Sequence, residues 1–135
     1  MTVPLEARRR LTDDHVVWLT TVGDSGTPAP NPVWCALDGD DIVVFTTFDA
    51  VRVHNIVQRP AVSLNFNSDP LGGDLVIISG SAVIRRPARP SAVASYRAKY
   101  ESAMADLHDM TIEQFDEAFD TEIRIRPEKV RPRAA

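Results

Sequence analysis

The pattern of hydrophobic and polar positions along the chain marks more strands than helices. Ala61 to Asn67 is the cleanest case, with Val62, Leu64 and Phe66 on one face and Ser63, Asn65 and Asn67 on the other. His15 to Val22 is rich in β-branched and aromatic residues and predicts a strand. A turn at Gly23–Gly26 follows, and Thr27 starts a return strand. Prolines at 28, 30 and 32 forbid regular ladder donation there, so regular pairing is expected only from Val33 to Leu37. Asp38-Gly39-Asp40-Asp41 reads as a hairpin turn. Ile42 to Phe45 is apolar on both faces, as a central strand requires. Leu75 to Ile84 predicts a long strand in which Gly80 marks a bend or a close backbone approach. Thr121 to Arg126 predicts the last strand.

Helical spacing appears in four places. Residues 4–13 start on Pro4, which suits a first turn, and offer Leu5 and Leu11 for packing. Ala50 to Gln58 can turn Val51, Ile56 and Val57 inward and stops at Arg59-Pro60. Ser91 caps a helix running to about Leu107, whose Val93, Tyr96, Tyr100, Met104 and Leu107 form a core stripe. Thr111 opens another helix with a capping box to Gln114. Hairpin-linked strands with few helical crossovers predict a mainly β, α+β protein, a small antiparallel barrel with helices packed outside. Residues 1–135 form one domain, with residues 1–14 as an N-terminal helical segment and the basic residues 127–135 as a flexible tail.

Composition narrows the function. Hydrophobic content of 44% and charged content of 25% are ordinary for a globular domain. The net charge of −4 argues against nucleic acid, and Arg8-Arg9-Arg10 reads as a solvated cluster. A single cysteine, Cys35, excludes an internal disulfide and reads as a buried structural thiol. No apolar run follows Met1 and none reaches membrane-spanning length, so a cytoplasmic protein is expected. His15, His54 and His108 lie apart and without ligand spacing, so no metal site is expected. Gly-x-Ser-x-Gly, Gly-x-Gly-x-x-Gly and Walker patterns are all absent, and no catalytic side chain is nominated.

The stretch Asp41 to Ile56 carries the candidate chemistry. An apolar strand ends in the hydroxyls of Thr46 and Thr47 and hands over to a helix start bearing Arg52, His54 and Asn55. Hydroxyls, free backbone N–H groups and a guanidinium together make an anion cradle. The same residues also fit a plain strand end beside a solvated cation, and this stretch alone leaves both open.

Several phrases in order carry a resemblance: Val17-Trp-Leu-Thr-Thr-Val22, Gly26-Thr-Pro28, Pro32-Val-Trp34, Asp38-Gly-Asp40, Arg52-Val-His-Asn-Ile56, Pro60-Ala-Val-Ser-Leu64 and Arg124-Ile-Arg-Pro127. The chain resembles the pyridoxamine 5'-phosphate oxidase-like split β-barrel flavin and deazaflavin oxidoreductases, and within them the actinobacterial branch that uses the deazaflavin coenzyme F420. The resemblance implies a six-stranded antiparallel split β-barrel that forms a homodimer, with cofactor sites at the subunit interface. It places Thr46, Thr47 and Arg52 on the cofactor phosphate, Pro32, Val33 and Trp34 along the ring, and Val51, His54 and Asn55 in the same set. Arg52 stands where the family has a lysine, which keeps the charge and adds a bidentate fork. His54 stands where it has an arginine, which removes a fixed charge. The implied activity is hydride transfer between reduced F420 and a small organic acceptor such as a quinone or an unsaturated carbonyl. FMN is the alternative cofactor, and a non-catalytic flavin, deazaflavin or haem carrier is the alternative class.

Overall fold

The computed structural model describes residues 2–131. Helix α1 (Leu5–Asp13) leads into β1 (Val17–Val22), β2 (Pro28–Val33), β3 (Ala36–Asp38) and β4 (Asp41–Thr46). Helix α2 (Val51–Gln58) crosses to β5 (Ala61–Asn65) and β6 (Ile77–Arg85). A 3-10 turn at Pro90–Ala92 then introduces α3 (Ala94–His108), α4 (Ile112–Ala118) and β7 (Thr121–Arg131). The strands form one sheet in the order β2-β1-β5-β6-β7-β4-β3, antiparallel throughout. Its two edge strands are consecutive in the chain and only Trp34 and Cys35 separate them. Three peptide steps reach at most about 11 Å, so the sheet curls until its edges meet. The result is a split β-barrel with peripheral helices.

The sheet has seven strands where six were expected. The return strand is broken in two, and the regular half is the proline-rich one. From Val17 opposite Val33 to Val22 opposite Pro28, β1 and β2 pair residue for residue. Prolines at alternate positions present their nitrogens to the same side of the strand. On an edge strand that side needs no donor, and Ala29, Asn31 and Val33 remain to serve β1.

The break at Trp34-Cys35 has a cause in α3. The Tyr100 hydroxyl accepts from the Cys35 N–H (2.8 Å), and its proton is placed between the His15 carbonyl (2.6 Å) and the Cys35 carbonyl (2.9 Å). The Lys99 ammonium donates to the carbonyls of Cys35 (2.8 Å) and Leu11 (2.7 Å). The peptide groups of Cys35 are therefore satisfied by side chains instead of a neighbouring strand.

Further expectations are corrected. Strand β7 does not end before Pro127 but continues to Arg131, so the tail begins inside the sheet. Gly80 lies opposite Pro127 at a register shift, and a Cβ at Gly80 would collide with the Arg126 carbonyl. A bulge is where a central strand tolerates proline. The remainder of the proposed tail, residues 132–135, lies outside the described residues.

Arg10 is not solvated but 4% exposed. It donates to Asp14 (2.6 Å) and to the carbonyls of Asp74 (2.6 Å) and Asn67 (2.8 Å), pinning α1 to the β5–β6 loop. On α2, Val51 and Val57 face outward, because so short a helix buries a narrow row, Val53 and Ile56 at i and i+3. Ser91 is in the 3-10 turn, bound to Asp116 instead of capping α3, and Leu107 is exposed. The Thr111–Gln114 capping box is present in both directions.

Strand β4 is buried on both faces. Ile42 and Val44 point into the barrel with Leu19, Leu64, Ile78 and Ile123. Val43 and Phe45 point outward onto Tyr96, Tyr100, Met104 and Phe115 of α3 and α4. This second core holds two helices against the strand that ends in the threonines. Among the described residues, no helix is long and apolar enough to cross a membrane.

Candidate cofactor site

A pocket of about 230 Å³ opens where the broken return strand, α2 and the outer helices converge. Pro32, Val33 and Trp34 supply one wall as the chain leaves β2, and Phe45 of β4 supplies the floor. Arg52 enters from the first turn of α2. Tyr96 and His108 come from α3, and Phe115 and Phe119 from α4 and its end. Trp34 stacks on Tyr100 (centroids 4.5 Å, 4°) and lies near-parallel to Phe115 (5.9 Å, 12°). His108 meets Trp34 edge-on at 5.5 Å. Larger hollows exist: one of about 430 Å³ beside Trp18 and Asn67 has no charged side chain, one of about 580 Å³ is lined by Asp109 and Glu117, and one of about 360 Å³ by Lys99, whose ammonium already donates to two carbonyls.

Arg52 is the exceptional group here. Its Nε is fully buried without a hydrogen-bond partner, the one such side-chain atom among the described residues. Burial, with no carboxylate to offset it, lowers its pKa. Ala50 stands at the N-cap of α2 and offers no side chain to the free N–H groups of that first turn. An unpartnered guanidinium and uncapped backbone donors supply the charge and hydrogen bonds that an anion accepts.

The structure thus brings Pro32, Val33, Trp34 and Arg52 to one pocket and leaves the other sequence-nominated residues off its lining. Thr46 is buried at the end of β4 and Thr47 is half-buried just before α2. Val51 is 71% exposed. Asn55 is buried and donates to Thr21 Oγ1 (3.0 Å), tying α2 to β1. His54 is exposed and Nε2 sits 3.1 Å from Asp24, which also accepts from Arg59 (3.3 Å). The hydrogen bond from His54 is the main cause that lowers the pKa of Asp24.

Sequence reasoning missed Phe45, Tyr96, His108, Phe115 and Phe119. The helical spacing of Tyr96, Phe115 and Phe119 and the apolar run around Phe45 signal burial, which is correct for Tyr96, Phe115 and Phe45, but neither pattern shows that these residues border a cavity, and His108 carries no such signal. Burial pushes the Cys35 thiol up to about 11, as an inert thiol requires.

The pyridoxamine 5'-phosphate oxidase family model matches residues 3–134, and the chain belongs to that family. Among solved structures, an F420 reductase is similar at 25% identity and a TM-score of 0.71, covering 96% of this chain and 99% of that one. A conserved hypothetical protein from Mycobacterium tuberculosis reaches a TM-score of 0.76 at 20% identity, covering 99% and 86%. The haem storage protein HutZ from Vibrio cholerae reaches 0.66 at 15% identity, covering 98% and 96%. The last two show the shared fold. Comparison with curated protein sequences gave no match.

Proposed function

We propose that the protein is an oxidoreductase that holds F420 and passes a hydride between its reduced form and a small organic acceptor, a quinone or an unsaturated carbonyl. The observation that carries this reading is Arg52, a half-buried guanidinium with an unpartnered Nε on an aromatic-walled pocket. Arg52 lines the pocket with no carboxylate within ion-pair distance among the described residues, so an anion bound there would supply the missing counter-charge. The similarity to the F420 reductase supports the choice of cofactor. Arg52, Thr46, Thr47 and the first N–H groups of α2 would hold the phosphate, and Pro32, Val33 and Trp34 would flank the ring. Asn55 fixes α2 against β1 so that Arg52 stays in place. The cofactor, when bound, supplies the hydride; the aromatic walls keep water from it.

A second copy of the chain would complete the site. About 230 Å³ is less than the roughly 300–1,000 Å³ of ordinary ligand pockets. Phe48, Val51, Val57 and Val83 leave apolar surface exposed beside and across from α2. A homodimer covering that surface would build its sites between the subunits, and light scattering at micromolar concentration would report twice the monomer mass. A persistent monomer removes this part of the reading.

One observation favours FMN. Beyond Arg52, His54 on α2 and Arg59 just past its end both face Asp24, and this carboxylate opposes the anionic tail that F420 has and FMN lacks. Absorbance-monitored titrations with F420, FMN and haem decide between them. Binding of F420 with the tighter constant supports the proposal, tighter FMN moves it to the flavin, and a Soret band alone overturns both.

A further inference from the structure

Two aromatic hydroxyls sit one turn apart on α3 and are treated differently. Tyr100 is saturated, its oxygen shared between the Cys35 peptide groups and the His15 carbonyl. Tyr96 is 1% exposed, yet its hydroxyl makes no hydrogen bond among the described residues. Its pKa is raised by burial first and the Cys35 sulfur second, with no hydrogen bond contributing. Buried tyrosine hydroxyls ordinarily find a partner. Unlike Arg52 Nε it is not sealed, so the sliver of Tyr96 that stays accessible includes the hydroxyl, and the residue lines the pocket.

We infer that Tyr96 is a specificity-determining hydrogen-bond donor, and that the pocket takes a planar conjugated ring bearing a carbonyl or phenolate oxygen that accepts from its hydroxyl. The lining is chiefly aromatic, with Trp34, Phe45, Phe115 and Phe119 offering apolar ring surface for a flat ring to pack on. The volume admits one small ring system. A phenol whose pKa is raised stays protonated through the physiological range and donates throughout it. Arg52 adds positive charge on the same pocket, which favours an oxygen carrying negative charge, and His108 at the rim is the remaining titratable group lining it.

The inference rests on reading the site as a redox pocket. Two rings bring the required oxygen, that of the tricyclic cofactor and that of the acceptor. The test uses the full chain with Trp18→Phe, leaving Trp34 in the pocket wall as the fluorescent reporter. The probes are 2-hydroxy-1,4-naphthoquinone and naphthalene, each titrated into cofactor-free protein with Tyr96 intact or with Tyr96→Phe. Because Tyr96 holds nothing in the fold through its hydroxyl, the variant melts at the same temperature or higher. The quinone should bind about five- to tenfold more weakly to the variant, the loss of one hydrogen bond, while naphthalene is unaffected. Equal quinone affinity in the two proteins, or no quenching of Trp34 by the quinone, overturns the inference.

FMN titration then separates the sources. If Tyr96→Phe weakens FMN by a similar factor and FMN-loaded protein excludes the quinone, the oxygen belongs to the cofactor ring. If FMN binding is unchanged and loaded protein still takes the quinone, it belongs to the acceptor. Failure to bind any cofactor would remove the redox reading and leave the quinone arm intact, so the two failures are distinguishable.

Discussion

Arg124 and Arg52 both lie along the walls of one small barrel, and the protein treats them in opposite ways. Arg124 in β7 reaches Asp38 (2.6 Å), Asp41 (3.1 Å) and Glu122 (3.2 Å). Those hydrogen bonds and charges raise its pKa although burial opposes them. It ties the β3–β4 turn to the last strand. Arg52 has no carboxylate within ion-pair distance among the described residues and an orphaned Nε. Arg10 and Lys99 fall with Arg124, since their donors are occupied by carboxylates or by backbone carbonyls. Charge whose partners lie within the chain maintains structure, whereas charge left unmatched in a pocket marks where a ligand belongs.

The contrast predicts opposite responses to the same substitution. Arg124→Ala leaves the buried Glu122 beside Asp38 and Asp41 without their shared cation and should cost about 3 kcal/mol of stability, read by thermal or urea unfolding. A loss below about 1 kcal/mol, the range of surface pairs, would place Arg124 with the exposed salt bridges.

The second prediction concerns pH. The folded pKa of Cys35, about 11, lies above its ordinary value of 9.0 because burial disfavours the thiolate. The unfolded chain therefore loses its proton first, and the stabilisation present below pH 9 declines as pH rises toward 11. The decline is on the order of 2 kcal/mol across that window. Tyr96 and Tyr100, raised in the same direction, add to it above pH 10. Cys35→Ala should flatten the slope between pH 9 and 10, and an unchanged slope would assign it elsewhere.

Arg52→Ala should leave stability unchanged or slightly higher, since it removes a desolvated cation with no partner to strand. It should weaken the cofactor by about 2 kcal/mol, roughly thirtyfold, as charge-assisted hydrogen bonds do. A destabilised Arg52→Ala protein with intact cofactor affinity would break the comparison outright. Tyr100→Phe is the smallest expected effect. It removes the hydroxyl that satisfies the Cys35 peptide at the strand break, at about 1–2 kcal/mol, and should loosen Trp34, visible as altered Trp34 emission in the Trp18→Phe background.

The sequence by itself determined the mainly β class and many of the elements. Alternation with a period of two placed β5 with Val62 and Leu64 buried, and Phe66 buried just past its end. Apolar character on both faces identified β4, and the Thr111–Gln114 box opened α4. These signals are local, and local signals survive because packing agrees with them. The sequence also singled out Pro32, Val33, Trp34 and Arg52, which share one pocket in the folded chain.

Only the tertiary structure decided what depends on a partner distant in the chain. The break after Val33 exists because Tyr100 and Lys99, more than sixty residues on, satisfy the Cys35 peptide groups. Strand β7 passes Pro127 because Gly80 lies opposite it and lets the ladder shift. Arg10 is buried because the β5–β6 loop presents carbonyls to it, and His54 faces Asp24 because the β1–β2 turn comes up beside α2. A hydrogen bond, unlike a hydrophobic period, leaves no trace in the spacing of either residue that makes it. For the same reason the difference between a satisfied Tyr100 and an unsatisfied Tyr96 is invisible in a stripe where both are simply aromatic and four residues apart.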